Sequence, residues 1–284
     1  MKTKKVGVVG CGTMGSGIAQ VCAQSGYQVI VSEVNDDLLD KGLDKISKFL
    51  SKGVEKGKVT PKEKEDILKR IYGTTNFDKF KECDLIIEAS VENLEIKKRI
   101  FEDLDRICPK STIIATNTSS LSIIDIAVAT KRRDKVLGMH FFNPAQIMKL
   151  LEVVKSIATS KETLHAAKEF GESLGKTVIV AKDTPGFIAN YLQYPVRLNA
   201  IRMLEAGMAT KEDIDNAATL GLGHPIGPLA LQDLVGLDIT YAAVSDIYEQ
   251  TKDPIFAPPV LMKKMIAAGW LGRKTGKGFY EYDI

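Results

Sequence analysis

The residues of this chain that could move a proton are a histidine and a glutamate in two successive apolar runs. His140 ends the first run, and Glu152 lies inside the next one, LLEVV. An isolated buried carboxylate is costly, so Glu152 needs a partner, and His140 is the natural one. A histidine exchanges a proton near neutral pH, and a carboxylate beside it stabilises its charged form. The pair is therefore either an acid–base couple or a salt bridge within the core.

The other histidines and the cysteines give no second site. His165 lies in a helical stretch, TLHAAKEF, that is typical of a surface position, and His224 lies in a loop, GLGHPIGP, that by itself gives no mechanism. The four cysteines lack the paired short spacing of a zinc or redox motif, so we expect reduced packing residues. No metal is required.

A glycine-rich loop, GCGTMG, stands between the first strand-like run and a helical stretch. In a loop of this kind Gly10 permits the tight turn, Gly12 lets the backbone approach a pyrophosphate, and Gly15 lets the helix pack closely on the strand. The N–H groups at the helix start, where Thr13 and Met14 stand, would face the phosphates. The pattern predicts dinucleotide binding, and a purely structural glycine turn is the alternative.

Glu33 follows the second strand-like run, YQVIVS. A carboxylate at this place accepts hydrogen bonds from the adenosine ribose hydroxyls and repels a 2′-phosphate. The position therefore favours NAD, with NADP as the second candidate, whereas a strand-end glutamate without a cofactor would simply be solvated.

The elements around these residues alternate between strand and helix, which predicts a doubly wound α/β sheet. A charged helical hairpin is inserted at about residues 36–70, where Thr60, Pro61 and Glu63 form a helix-start signature. After the sequence DTPG only helices are expected. We therefore predict a dinucleotide-binding domain over 1–185 and a helical substrate and dimerisation domain over 186–284.

Composition narrows the classes of partner. The 284 residues carry 39 basic and 36 acidic side chains, and a net charge of +3 does not favour a nucleic-acid partner. No run approaches the roughly 18 apolar residues of a membrane helix, and no signal core follows the start. We expect a cytoplasmic protein that does not bind membranes.

Five separated motifs occur in one order: NTSSL, HFFNP, LEVV, DTPGF and GRKTGKGFY. Together with the glycine loop they resemble the L-3-hydroxyacyl-CoA dehydrogenase family, and its short bacterial 3-hydroxybutyryl-CoA dehydrogenases in particular, essentially end to end. The resemblance implies a Rossmann-type domain with the helical hairpin, followed by an all-α domain. It also implies reversible hydride transfer between NAD(H) and C3 of a short acyl-CoA.

The resemblance assigns roles to residues that match the family's motifs. His140 would be the catalytic acid and base, Glu152 would orient it, and Ser119 and Asn190 would hydrogen-bond the reacting oxygen of the substrate. On the cofactor side, it implies Glu92, Lys97, Asn117, Ser119, Asn143 and Lys274.

The resemblance further implies an acyl-CoA substrate whose phosphates lie near Lys52 and Lys56, although lysines on a helix face are usually just solvated charges. It implies a homodimer or a higher homo-oligomer. Three positions depart from common family usage: Cys11 between the glycines, Glu33 where aspartate is usual, and Tyr191 where arginine is frequent.

Two other functions compete with this interpretation. A β-hydroxyacid dehydrogenase that acts on a free acid shares the Rossmann domain and the helices, but such enzymes generally use a lysine. A dinucleotide-binding structural protein could keep the fold without turnover. The His140–Glu152 pair argues against the first, and the combination of Ser119, His140, Glu152 and Asn190 argues against the second.

Overall fold

The computed structural model describes residues 3–283. Contacts divide the chain into a unit that ends at Thr184 and a unit that begins at Pro185. The strands of the first unit are β1 Lys5–Val9, β2 Gln28–Ser32, β3 Ile71–Thr74, β4 Leu85–Glu88, β5 Ile113–Thr116, β6 Val136–Phe141, β7 Leu150–Lys155 and β8 Thr177–Lys182.

These strands form one sheet in the order β3-β2-β1-β4-β5-β6-β7-β8. Neighbouring strands are parallel except for β6 and β7, which are antiparallel. The predicted doubly wound α/β sheet is confirmed. Because the strand order reverses between β1 and β4, the carboxyl ends of these two strands border the crevice where such sheets bind ligands.

The helices of the first unit pack on this sheet, apart from an inserted pair. They are α1 Thr13–Gln24, α2 Asp36–Glu55, α3 Pro61–Lys69, α4 Leu94–Ile107, α5 Ile123–Ala127 and α6 Lys161–Ser173. The inserted hairpin consists of α2 and α3. The predicted start of α3 is confirmed, since Glu63 N donates to Thr60 Oγ1 and Thr60 N donates to Glu63 Oε2.

Strand β3 is an element that the sequence patterns do not predict. It has four residues, follows α3 directly and pairs with β2 at the edge of the sheet. Tyr72 within it is half exposed and Gly73 has no side chain, so the strand lacks the apolar alternation that identifies its neighbours. Its pairing with β2 is a tertiary effect.

The core of the first unit contains apolar side chains from the strands and from α1, α2 and α6. All four cysteines are buried with free thiols, as the sequence predicts. Within residues 3–283, no helix is long and apolar enough to cross a membrane.

The second unit has its own apolar core and is built from helices. They are α7 Ala189–Glu205, α8 Lys211–Asn216, α9 Pro228–Val235, α10 Leu237–Thr251 and α11 Val260–Ala267, with a π-helical turn at Ala217–Gly221. The predicted all-α fold of this part is confirmed over its described residues, where only isolated β-bridges occur outside the helices.

Candidate functional site

The glycine loop joins β1 to α1, and its glycines meet different surroundings. Gly10 has a φ of +91°, and a Cβ on it would lie 2.7 Å from the Ala89 carbonyl oxygen. A Cβ on Gly15 would lie 1.9 Å from the Gly10 carbonyl oxygen. At Gly12, by contrast, a Cβ would meet no atom within 4 Å. The loop therefore requires glycine for packing at two positions and has open space at the third.

The start of α1 is suited to an anion. No side chain caps this end of the helix, and no acidic residue lies in its first turn. Thr13 is exposed there, while Met14 is partly buried against the core. Uncapped N–H groups and the helix dipole favour negative charge, so a dinucleotide pyrophosphate fits the open space at Gly12.

Glu33 and Cys11 connect the end of β2 to the glycine loop. Cys11 N donates to Glu33 Oε1 over 2.8 Å, and Val34 N donates to Oε2 over 3.0 Å. The Cys11 thiol is buried against α2, where a Cβ on Gly42 would lie 2.3 Å from the Cys11 sulfur. Burial, assisted by the Glu33 charge, raises the pKa of Cys11 to about 12, so the thiol is a protonated packing group.

His140 and Glu152 occupy directly opposite positions of the antiparallel pair β6–β7. His140 Nδ1 lies 2.7 Å from Glu152 Oε2, and the two residues are 6% and 0% exposed. A carboxylate only accepts hydrogen bonds, so the proton between them belongs on Nδ1. The Phe142 ring packs 4.5 Å from the imidazole, centroid to centroid. Sheet register and burial together fix the orientation of the imidazole.

Asn117 joins the end of β5 to the strand that carries His140. Phe141 N donates to Asn117 Oδ1 over 2.9 Å, and Asn117 N donates to the Glu88 carbonyl oxygen over 2.7 Å. Asn143, which follows β6, is exposed. Three adjacent strand ends are thereby fixed relative to one another.

Glu92 organises the segment that carries Ser119. Its Oε1 atom accepts from Ser119 N over 3.0 Å and from Thr118 Oγ1, and its Oε2 atom lies 3.4 Å from Lys97 Nζ. Burial alone would raise the pKa of Glu92, but the Lys97 charge and these hydrogen bonds lower it below the ordinary value. Glu92 is thus an ionised anchor for the backbone at Ser119.

Glu88 is a member of this cluster that the sequence analysis missed. The last residue of β4, it is fully buried and forms an ion pair with Lys97, with Nζ to Oε1 at 2.7 Å. A signal was present in the sequence, since a charge that closes the apolar run DLIIE needs a buried partner just as Glu152 does.

Four further predicted residues are characterised by their surroundings within their own units. Lys52 and Lys56 are exposed at the end of α2, and neither forms an ion pair with any residue between 3 and 283. In the second unit, Asn190 is buried and its Oδ1 accepts from Gln193 Nε2 over 2.9 Å. Lys274 forms an ion pair with Asp238 over 2.6 Å.

Comparison with known proteins gives full-length matches. The protein family described as "3-hydroxyacyl-CoA dehydrogenase, NAD binding domain" matches residues 5–184. The family described as "3-hydroxyacyl-CoA dehydrogenase, C-terminal domain" matches residues 186–282. The 3-hydroxybutyryl-CoA dehydrogenase of Clostridioides difficile is 46% identical over 279 residues, which cover 98% of this chain and 99% of the relative. The mitochondrial hydroxyacyl-coenzyme A dehydrogenase of Sus scrofa is 43% identical over 286 residues, which cover 98% and 91%.

A solved structure agrees equally well. The crystal structure of (S)-3-hydroxybutyryl-CoA dehydrogenase from Ralstonia eutropha has a TM-score of 0.97 to this chain at 42% identity, covering 100% of both chains. The NAD-binding match also agrees with the uncapped helix start and with Glu33, and NAD is the cofactor. The chain therefore belongs to the 3-hydroxyacyl-CoA dehydrogenase family and is an NAD-dependent oxidoreductase that acts on a CH–OH group.

Proposed function

We propose that this enzyme interconverts (S)-3-hydroxybutyryl-CoA and acetoacetyl-CoA, and that it acts on short acyl chains. The single observation that carries the chemistry is the buried contact of 2.7 Å between His140 Nδ1 and Glu152 Oε2 at the end of β6. The substrate class is supported by the names of the relatives from C. difficile and R. eutropha.

The proton is exchanged at Nε2 of His140. In oxidation neutral His140 accepts the proton of the C3 hydroxyl, and in reduction the imidazolium returns a proton to the C3 oxygen. Glu152 holds the imidazole by Nδ1 and stabilises the imidazolium. The nicotinamide cofactor, when bound, would supply the hydride transfer at C3 in both directions.

The binding residues follow from the same proposal. Gly10, Gly12 and Gly15 would admit the pyrophosphate at the start of α1, where Thr13 and Met14 stand, and the Glu33 carboxylate would bind the ribose. Glu92, Lys97, Asn117, Asn143 and Lys274 stay predictions as further cofactor-side residues. Ser119 and Asn190 are proposed partners of the reacting oxygen, and Lys52 and Lys56 of the coenzyme A phosphates.

The larger organisation is also a proposal. The first unit would bind the dinucleotide, and the second would contribute to substrate binding and to a homodimer or higher homo-oligomer. A cytoplasmic location agrees with four free, buried cysteines.

Replacement of His140 tests the function. With acetoacetyl-CoA as the substrate, we expect the wild-type enzyme to oxidise NADH faster than it oxidises NADPH, because Glu33 repels the 2′-phosphate of NADPH. His140→Gln should lower kcat by about 10²–10⁴-fold, the usual contribution of a general acid–base residue. The measurement is nicotinamide absorbance at saturating substrate.

His165 supplies the matched control, since it is an exposed histidine paired with Glu169 on the surface of α6. His165→Gln should keep wild-type kcat. No turnover by wild type with either cofactor would refute the proposed substrate, and full activity of His140→Gln would refute the role of His140.

A further inference from the structure

A buried carboxylate that the proposed reaction does not use lies between the two loops of the site. Glu88 is flanked in register by Val9 of β1 and Thr116 of β5. β1 continues into the glycine loop, and β5 continues into residues 117–121, which we call the Ser119 loop. Glu88 is thus the end of the central strand between a cofactor loop and a proposed substrate loop.

The side chain of Glu88 receives donors on both oxygens. Oε1 accepts from Ser90 N at 2.7 Å, from Ser90 Oγ at 2.6 Å and from Lys97 Nζ at 2.7 Å. Oε2 accepts from Thr116 Oγ1 at 2.7 Å and from Lys97 Nζ at 2.9 Å. Glu88 and Lys97 are 0% and 1% exposed. Five donor contacts therefore occupy the two carboxylate oxygens of Glu88.

Stability alone does not account for this ion pair. Removing two charges from water is costly, and apolar residues of similar volume often give an equally stable protein. An apolar pair would lack the contact between buried Lys97 and partly exposed Glu92, in which Lys97 Nζ lies 3.4 Å from Glu92 Oε2. That contact leads to the backbone of the Ser119 loop, because Glu92 Oε1 accepts from Ser119 N and Thr118 Oγ1.

We propose that Glu88 is a positioning residue for Ser119, acting through Lys97 and Glu92. Two short bonds to Glu88 occupy two of the three N–H groups of Lys97, and Glu92 Oε2 lies farther from the same Nζ, at 3.4 Å. The Glu92 carboxylate is thereby free to hold the Ser119 loop with its other oxygen. That this places a substrate-binding hydroxyl rests on the proposed function.

Removing the charge of Glu88 should strengthen the contact between Lys97 and Glu92. In Glu88→Gln Lys97 loses its buried carboxylate partner, and Glu92 becomes its only acidic neighbour among the contacts described above. A full ion pair between Lys97 and Glu92 would draw the Glu92 carboxylate away from Ser119 N. The Ser119 loop would then lose its anchor while the strands beneath it stay paired.

Amide hydrogen exchange tests the proposal without any turnover. Exchange in the Ser119 loop of Glu88→Gln should be about tenfold faster than in wild type, as expected for one lost hydrogen bond to a charged group. The control is Asp105→Asn, which breaks an ion pair between Asp105 and Arg132 at the far end of the same helix, α4. It should leave exchange in the loop unchanged. Wild-type exchange in Glu88→Gln would overturn the proposal.

A double-mutant cycle on kcat/KM for acetoacetyl-CoA gives the second test. Glu88→Gln should lower kcat/KM roughly tenfold in wild type and less than about twofold in a Ser119→Ala background, because coupled residues are not additive. Asp105→Asn should have the same small effect in both backgrounds. An equal loss from Glu88→Gln in both would mean a merely structural role and would overturn the proposal.

A second variant covers a folding failure. If Glu88→Gln does not fold, Ser90→Ala removes the Oγ donor to Glu88 Oε1 at 2.6 Å and should give a smaller change in the same loop, and no change would overturn the proposal. If wild type does not turn over acetoacetyl-CoA, the proposed function fails, and hydrogen exchange alone decides the role of Glu88.

Discussion

Substitutions at single glycines of the loop should affect stability and cofactor binding separately. Gly12→Ala places a methyl group where no protein atom lies within 4 Å, at a backbone position with a negative φ of −68°. We expect Tm to stay within about 1 °C of wild type and the Kd for NADH to rise more than tenfold, because the methyl occupies the space of the pyrophosphate. Thermal melting and fluorescence titration measure the two quantities.

Gly15→Ala is the contrasting variant. Its methyl group would overlap the Gly10 carbonyl oxygen, so Tm should fall markedly. Unchanged NADH affinity in Gly12→Ala would contradict the assignment of the open space to the cofactor.

Glu92 gives a pH dependence with a definite sign. Its pKa is lower in the folded protein than its ordinary value of 4.5, so its contribution to the free energy of unfolding is present above about pH 4.5 and is lost as the pH falls through the folded value. The difference in Tm between wild type and Glu92→Gln should therefore be largest near neutral pH and shrink below pH 4.5. Melting curves from pH 7 to pH 3 check this, and a difference that grows with acidity would contradict it.

Charged residues inside apolar runs are the part of the site that sequence reasoning reaches. Glu152 is recognised because the run LLEVV leaves its charge unexplained, and Glu88 could have been recognised in the same way. Cys11 could not be understood from its neighbours in the chain. Its environment is made by Gly42 on a distant helix, and only the folded structure brings them together.

At the scale of elements, the site depends on one antiparallel pairing within a parallel sheet. Only residues 142–149 connect β6 to β7, and so short a connection has no room for a crossover helix, so its length by itself indicates antiparallel strands. Strand β3 has no such signal, because its four residues at the sheet edge are held by β2 more than by their own pattern.

Helix α2 offers a prediction that reverses the usual effect of glycine in a helix. Replacing such a glycine by alanine commonly stabilises a protein by up to about 1 kcal/mol. Gly42→Ala should instead lower Tm, because its Cβ would lie 2.3 Å from both the Cys11 sulfur and the Cys11 carbonyl oxygen. It should also raise the KM for NADH, since the glycine loop must shift.

The control lies on the same helix. A Cβ on Gly53 would meet only the Val59 side chain, at 3.3 Å, so Gly53→Ala should be neutral or stabilising and keep the wild-type KM. Equal effects of the two substitutions on KM would show that the contact with Cys11 does not matter to the cofactor.

At the scale of the whole molecule, the five motifs together predicted the family, which no single motif could do, because their order along the chain is specific to that family.

The assembly is a further prediction: sedimentation velocity should give twice the chain mass of 31.1 kDa, or a higher multiple. Leu192 and Val196 lie one turn apart on α7 and are 69% and 44% exposed in the single chain. Neighbouring exposed apolar side chains of this kind are expected where a second copy of the chain covers the helix. Leu192→Asp with Val196→Asp should yield monomers.

Ile157 in the first unit is almost fully exposed and provides the control. Ile157→Asp should leave the sedimentation coefficient unchanged. A wild-type protein that sediments as a 31.1 kDa monomer at micromolar concentration would contradict the proposed dimer.

The contact between Cys11 and Gly42 constrains how this cofactor site can change through evolution or engineering. Position 42 is already glycine, so a smaller residue there cannot give more room to the side chain at position 11. A larger residue in the loop becomes accessible only after α2 has moved outward. Any redesign that enlarges position 11 therefore has to include the inserted helix α2 as well as the glycine loop.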